Sequence, residues 1–310
     1  MGDLPRMFRE GMAYCETQRT VDRTFLFKPD EVVRQIIGSS AGRALEKHPV
    51  KIYYLEFNIN HMHRGIQPLS TKPADLRHFF EFTKMFNSLI AKGINRHLDR
   101  EGPVFSTHVR AAEAQCDKSL EQQLFYAVTN VVKDGLVEEA SHWRGFSLHN
   151  QMATGNIEKF YYIDYTAWRK AGGPKSGKPA SAFMKTTTIE LTPLPSQTAW
   201  KPDKRQAHFR REVQKLEDFH RARRQQEKES VVGKTALATI DPRDRPKTPP
   251  TRSPRPKCHA TTQEAREAFF KAYSDFLAVY CVASKKWMKG DWTAEFPAGS
   301  YRPPNPIVNT

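Results

Sequence analysis

The sequence is short of cysteines, of long apolar runs and of acidic residues. Its four cysteines, Cys15, Cys116, Cys258 and Cys281, stand far apart in a chain of 310 residues, in no spacing typical of a zinc site. We therefore expect buried thiols in a cytoplasmic protein. No stretch of about 18 apolar residues is present, which argues against a bilayer-spanning helix. The first residues lack the apolar segment of a secretory signal, so we expect none.

The deficit of acidic residues gives the chain a strongly positive charge. Against 49 Lys and Arg stand only 34 Asp and Glu, for a formal net charge of +15. Such an excess favours a polyanionic partner, with nucleic acid preferred over a membrane surface. We therefore expect a nucleic-acid-binding protein that is associated with the nucleoid.

Two histidines follow a stretch that is typical of a β-strand. The aromatic and β-branched residues of 51–57 predict the strand. If it continues or resumes through the histidines, His61 and His63 point to the same side of a sheet, because strand side chains alternate. Two imidazoles on one face can hold a divalent cation with positions left open for a substrate. The alternative is two unrelated polar residues at a strand end, since short motifs often match by chance.

The first part of the chain predicts an α+β fold. Apolar periodicity gives, in order, a strand or hairpin over Met12–Phe27, a helix from Asp30 to His48, two strands over Val50–Gln67, a helix from Pro73 to Leu98 and a strand over Val104–Val109. This βαββαβ order is ferredoxin-like in outline. We expect helices on one face of the sheet and the two histidines on the open face.

A third helix carries a tyrosine and an asparagine one turn apart. Ser119 and Gln122 have the spacing of a capping box. Tyr126 and Asn130 lie four residues apart, on the side of the helix opposite to the apolar stripe of Leu120, Leu124, Val128 and Val131. A tyrosine in such a position can also be an amphipathic ring lying on the surface.

Together these segments resemble the single-tyrosine HUH transposases, in particular the REP-associated tyrosine transposase branch. The resemblance rests on Asn60–His63, Phe82–Asn87 and Tyr126–Asn130, and it is densest from Gly11 to Met152. It implies that His61 and His63 bind a metal ion, that Tyr126 is the nucleophile, and that Asn130 completes the metal site.

Two departures from the family pattern stand beside the resemblance. Val131 occupies the position where the family usually has proline, and Asn58-Ile59-Asn60 stands where the family usually has Met-Pro-Asn. Neither departure removes a reacting group.

The resemblance implies a metal-dependent tyrosine transposase, a DNA nickase and strand transferase. Such an enzyme cleaves and rejoins single-stranded or hairpin DNA through a 5′-phosphotyrosine intermediate, which keeps the free energy of the broken bond. We expect Mg²⁺ as the cation and Mn²⁺ as a substitute. The partners would be single-stranded DNA and DNA hairpins and no membrane, with a monomer or a homodimer equally compatible.

Two other functions stay open at this stage. Zinc-dependent hydrolysis would need a third His, Cys or carboxylate ligand, and the sequence offers no obvious one. The second is a non-catalytic, domesticated or decayed protein that binds hairpin nucleic acid with the same basic surface.

The second half of the chain is predicted to extend this catalytic domain. We divide the chain into a catalytic domain over 1–155, a strand pair with a basic helix over 156–240, a Pro- and Arg-rich linker over 241–260, and a last helix with its tail over 261–310. The basic helix, 197–229, has Phe209, Val213, Leu216 and Phe219 as its apolar stripe. The tail either recognises a DNA hairpin or packs on the catalytic domain.

Overall fold

The computed structural model describes residues 5–106, 109–247 and 256–303. Helices and strands alternate as β-α-β-β-α-β through the first part of the chain. These elements are β1 (Ala13–Arg19), α1 (Glu31–Lys47), β2 (Lys51–Asn58), β3 (His61–Gln67), α2 (Pro73–His97) and β4 (Arg110–Ala114). The fold is α+β, as the sequence predicts.

Helices dominate the rest of the described chain. The remaining elements are α3 (Asp117–Lys133), α4 (His149–Thr154), β5 (Lys159–Ile163), α5 (Tyr165–Lys170), β6 (Met184–Thr188), α6 (Pro202–Glu227), α7 (Gly233–Thr239), β7 (Cys258–His259) and α8 (Gln263–Met288). None of the described helices has the length and apolarity of a membrane span.

The main sheet has five strands in the order β2-β3-β1-β4-β7, and β5 and β6 form a separate antiparallel pair. The central strand β1 runs antiparallel to β3 and β4, whereas β7 joins β4 in parallel. One prediction is wrong here: the fourth strand begins at Arg110 rather than Val104, with residues 107 and 108 outside the described part. Cys258 and His259, within the region predicted as a linker, form a short strand at the sheet edge.

Helices cover both faces of the sheet, so the prediction of one open face is wrong. α1 and α2 pack on the face that carries Tyr14, Met62 and Ile66. The opposite face presents Cys15 and Tyr54, and it is covered by α3, on which α6 packs in turn. The apolar residues on this second face need a cover as much as those on the first, because burial of apolar area is the dominant favourable term in folding.

Helix α1 also carries the β5–β6 pair on its outer side. A Cβ added at Gly38 would overlap the ring of Phe160, and one added at Gly42 would overlap Thr187. These two glycines stand four residues apart and therefore lie on one side of the helix. They let the strand pair approach the helix backbone closely enough to bury Phe160, which is 1% exposed.

Helix α3 begins earlier than its sequence suggests. Its N-cap is Cys116, and Ser119 occupies the third helical position, where its hydroxyl accepts a hydrogen bond of 3.2 Å from the Cys116 backbone N–H. The capping box is thus built from Cys116 and Ser119 rather than from Ser119 and Gln122. The apolar stripe of α3 is buried as predicted. On α6, by contrast, Phe219 is 63% exposed and does not belong to the core.

Candidate active site

A tight hairpin between β2 and β3 sets the position of the two histidines. Ile59 and Asn60 form the two-residue turn, and Asn58 pairs with His61 across it. His61 lies beside Arg19 of β1, and His63 lies beside Thr17. Since His61 and His63 are two residues apart in one strand, both side chains point to the face that α3 covers, and their ring centroids are 4.8 Å apart.

Hydrogen bonds from neighbouring side chains determine which ring nitrogen of each histidine is protonated. His61 Nδ1 lies 2.7 Å from Asn60 Oδ1, which can only accept, so Nδ1 carries the proton. His63 Nδ1 lies 3.0 Å from the hydroxyl of Thr17, which can accept or donate. The Nε2 atom of His61 is therefore left with its lone pair. His63 takes the same tautomer when its Nδ1 donates to Thr17.

The amide of Asn130 occupies the point on which both Nε2 atoms converge. Its nitrogen Nδ2 lies 2.9 Å from His61 Nε2 and 3.0 Å from His63 Nε2. Asn130 is only 3% exposed, so its side chain lies against the sheet instead of facing solvent. The two N–H groups of one amide can donate to two lone pairs, which is the arrangement that the tautomers above require. Rotation of the side-chain amide by half a turn would place Oδ1 of Asn130 where Nδ2 now lies.

The surroundings of the imidazoles favour their neutral form. Burial lowers the pKa of His63 to about 3, helped by the positive charges of Lys133 and Arg19. Burial also holds the pKa of His61 well below its usual value, with further contributions from His63, Arg19 and Lys133. Neutral imidazoles are the form that binds metal ions, since a protonated ring has no free lone pair.

Tyr126 lies one turn before Asn130 and reaches solvent. The residue is 39% exposed, and its ring centroid lies 5.5 Å from that of His63 with the planes nearly perpendicular. Its hydroxyl oxygen lies 3.1 Å from the ammonium nitrogen of Lys133, two turns further along α3. The hydroxyl thus lies in reach of a solvent-borne substrate and of a positive charge.

The two histidines and Tyr126 line a cleft of about 350 Å³, together with the positively charged Arg19 and Arg110. The cleft is lined by Thr17, Arg19, His61, His63, Arg110, Gln123, Tyr126 and His259, together with apolar and backbone groups. No carboxylate stands among its described lining residues. A phosphodiester is therefore a favourable occupant.

Polar contacts hold α3 against the hairpin and against α6. The Asn58 side chain donates a hydrogen bond of 2.8 Å to Asp134, the C-cap of α3. From α6, Arg224 donates to the backbone carbonyl of Val132, and Arg223 donates to that of Lys133 at 3.1 Å. These donors bind carbonyls in the last turn of α3, and they fix Asn130 and Lys133 relative to the histidines.

The structure brings His61, His63, Tyr126 and Asn130 together in one place. Sequence reasoning missed Arg19, which lines this cleft, although the strand period of β1 could have indicated it. The helical period places Lys133 on the same side of α3 as Tyr126, but it does not indicate the contact of its ammonium with the Tyr126 hydroxyl. Sequence reasoning also missed His259. A two-residue strand far along the chain brings this histidine to the cleft, and no local sequence signal marks such a strand.

Within the described ranges, no group of three or more His, Cys, Asp or Glu is arranged to hold a metal ion. A tetrahedral zinc centre of the usual kind is therefore not built from those residue types in this part of the chain. Two imidazoles and one amide are a different donor set, with no net charge and with room for a substrate oxygen.

Comparisons with known proteins find a likeness among solved structures. No protein-family model matches the chain, and no curated protein matches it. Among solved structures, a REP-associated tyrosine transposase bound to a REP hairpin matches with a TM-score of 0.39 and 18% identity, over 50% of this chain and 87% of that one. A likeness this slight assigns neither fold nor activity.

Proposed function

We propose that the protein is a DNA strand nickase and strand transferase of the transposase type, with Tyr126 as its nucleophile. The observation that carries the proposal is the convergence of the His61 and His63 Nε2 atoms on Asn130, beside the exposed hydroxyl of Tyr126. A nucleophile, a neutral ligand set and a basic surface thus share one cleft. The β-α-β-β-α-β order through β4, with β3 and β4 on either side of β1, supports a ferredoxin-like core as part of this proposal.

His61, His63 and Asn130 would hold a divalent cation, Mg²⁺ or in its place Mn²⁺. Each residue has one donor atom available at the shared point: Nε2 of each imidazole and, after half a turn of the amide, Oδ1 of Asn130. When bound, the cation would neutralise charge on the scissile phosphate and orient the leaving oxygen. Because the three protein ligands are neutral, they leave the ion's full charge for the phosphate.

The chain's own groups account for the covalent step. The Tyr126 oxygen attacks the phosphorus, the phenol proton passes to solvent, and the bond between phosphorus and the 3′ oxygen breaks, with that oxygen taking a proton from solvent. The 5′ phosphate stays on Tyr126, and the 3′ hydroxyl is free. Attack by a 3′ hydroxyl on the phosphotyrosine reverses these events, so rejoining needs no nucleotide cofactor.

Positive side chains would stabilise the charge that develops in this step. The Lys133 ammonium lies against the Tyr126 hydroxyl, and Arg19 lines the same cleft. Preorganised cations next to a developing oxyanion lower the barrier, because they need no rearrangement at the moment of reaction. The same side chains favour binding of the phosphodiester.

A covalent-adduct assay tests the proposal. The protein is incubated with a 5′-labelled and, separately, a 3′-labelled single-stranded hairpin substrate in Mg²⁺, denatured, and resolved by electrophoresis. The 3′ label should move with the protein, and the 5′ label should appear in a shorter free strand. Binding without any adduct, in Mg²⁺ and in Mn²⁺, would instead support the non-catalytic hairpin-binding function.

A further inference from the structure

A second cleft lies on the other side of the main sheet from Tyr126. It has a volume of about 590 Å³ and is formed by the outer surfaces of α1 and α2 with the chain from β5 to α5. The histidines project from the opposite sheet face, toward α3. Among the described residues, none lines both this cleft and the candidate active site.

Four cations line this cleft: Arg43, Lys92, Arg96 and Arg169. None of the four makes an ion pair with a carboxylate in the described part of the chain. The one carboxylate that lines the cleft, Asp164, is paired with Lys185 at 2.8 Å. Like charges gathered without counter-charges repel one another. Binding of a polyanion to this surface relieves the repulsion and is therefore favourable.

Tyrosines alternate with these arginines along the cleft. The guanidinium carbon of Arg43 lies 4.3 Å from the ring centroid of Tyr162, and that of Arg96 lies 4.5 Å from the ring centroid of Tyr165. Tyr161 makes no such stacking contact with a described cation and is 49% exposed. A guanidinium lying over a ring is held in place with N–H donors still available at its edge.

We propose that this cleft binds a single-stranded stretch of nucleic acid, with phosphates on the four cations and a base stacked on Tyr161. Arginine-lined grooves with open aromatic rings are suited to single strands, since stacking on a side chain requires a base that is not already stacked in a duplex. The cleft's volume accommodates more than a lone phosphate ion. Binding here does not depend on cleavage at Tyr126.

The test combines charge removal with a salt titration. Binding of a fluorescent oligothymidylate of about 15 nucleotides is measured by anisotropy over a range of salt concentrations for the wild type and for Arg96→Ala/Arg169→Ala. Each phosphate contact on a single strand contributes about 0.7 to the steepness with which log K falls with log salt concentration. The slope of the double variant should therefore be less steep than that of the wild type by about 1.4. The control pair Lys271→Ala/Lys285→Ala, on α8, should keep the wild-type slope.

A second pair of variants tests the stacking. Tyr161→Ala should weaken binding by about tenfold, and Tyr161→Phe should bind like the wild type, because the ring alone supplies the stacking. A matched duplex should bind the wild type and Tyr161→Ala equally. Unchanged slope and affinity in the cleft variants, or equal losses in the α8 control, would overturn the proposal. The adduct assay is independent: its failure would count against cleavage at Tyr126 and leave these binding results standing.

Discussion

The ammonium nitrogen of Lys133 lies 3.1 Å from the hydroxyl oxygen of Tyr126 and 4.6 Å from the centre of the same ring. Both residues belong to α3 and are separated by two turns, so the helix itself fixes their distance. A positive charge at this distance attracts the phosphate that the Tyr126 oxygen would attack. Lys133 therefore has a role in the proposed chemistry that its position in the last turn of a helix did not indicate.

Lys133→Ala should slow adduct formation by at least about tenfold, less than the roughly hundredfold loss typical of a buried donor, because solvent screens this site. Single-turnover rates at saturating DNA would measure the effect on the covalent step separately from binding. Lys118→Ala, which removes an exposed cation from the first turn of the same helix, is the matched control. Equal rates for the two variants would assign Lys133 to packing over the ring alone.

Tyr126→Phe should form no adduct and should bind DNA as the wild type does. The change removes one oxygen and keeps the ring that lies against His63, so the fold should be preserved. Tyr161→Phe removes the hydroxyl of another exposed tyrosine and should form the adduct normally. An adduct that persists in Tyr126→Phe, or peptide mapping that locates it on Tyr161, Tyr162 or Tyr165, would contradict the assignment of the nucleophile.

His61→Ala and His63→Ala should each abolish metal-dependent cleavage while most of the DNA affinity is kept, since basic residues elsewhere dominate binding. Asn130→Ala should slow cleavage without abolishing it, and Mn²⁺, which accepts imidazole ligands more readily than Mg²⁺, should restore part of the rate. His142→Ala is the control, because this histidine is exposed and outside the cleft. Wild-type cleavage by both histidine variants would show that the assignment of the metal ligands is wrong.

The sequence predicts those parts of this molecule that local periodicity determines. Helices α1 and α2 and the β2–β3 hairpin all lie where apolar spacing and turn residues indicate them. The common face of His61 and His63 follows from the strand period in the same way. For these residues the local preference and the tertiary structure agree, which is the condition under which sequence patterns are informative.

Pairings between distant segments could not be predicted in this way. Nothing in the residues around Cys258 and His259 indicates that they pair with Glu113 and Ala114, because two residues carry no period. The helices over the second sheet face were not predicted for a related reason. The apolar stripe of α6 predicts that the helix packs on another element, but it does not identify that element. The exposed Phe219 shows that even a well-spaced apolar residue can lie outside the core when its partner surface ends.

A buried ion pair joins β3 to β1 on the sheet face opposite to the two histidines. Arg64 is fully buried beside Glu16, and its Nε donates to the Glu16 carboxylate at 2.7 Å while a second nitrogen donates to Thr83 at 2.8 Å. Arg64→Ala should lower the free energy of unfolding by about 3–5 kcal/mol, because it leaves the buried Glu16 carboxylate with only the longer, partly exposed contact to Arg6 at 3.6 Å. The double variant Arg64→Met/Glu16→Leu should recover much of that loss in urea denaturation. If the single and double variants lose the same free energy of unfolding, the loss comes from the packing of Arg64 against Phe82 and Phe86 and not from the unpaired charge.

Glu56 should make the stability of the protein fall as pH rises. Its carboxyl group is buried, and burial raises its pKa from an ordinary value of 4.5 to about 8, although it accepts hydrogen bonds from Ser147 and Leu148. The unfolded chain therefore releases this proton near pH 4.5, whereas the folded chain keeps it until about pH 8. The contribution of Glu56 to stability is fully present below the lower value and declines through this window, by an amount on the order of a few kcal/mol.

Glu56→Gln keeps the size of the side chain and an oxygen that can accept the Leu148 N–H, but it cannot ionise. We expect the variant to be less sensitive than the wild type to a change from pH 5 to pH 8.5 in chemical denaturation, and to be the more stable of the two at the higher pH. Glu267→Gln, an exposed position on α8, controls for the loss of one negative charge. If Glu56→Gln and the wild type lose the same free energy of unfolding between the two pH values, the carboxyl of Glu56 is ionised in the folded protein and its surroundings stabilise the charge.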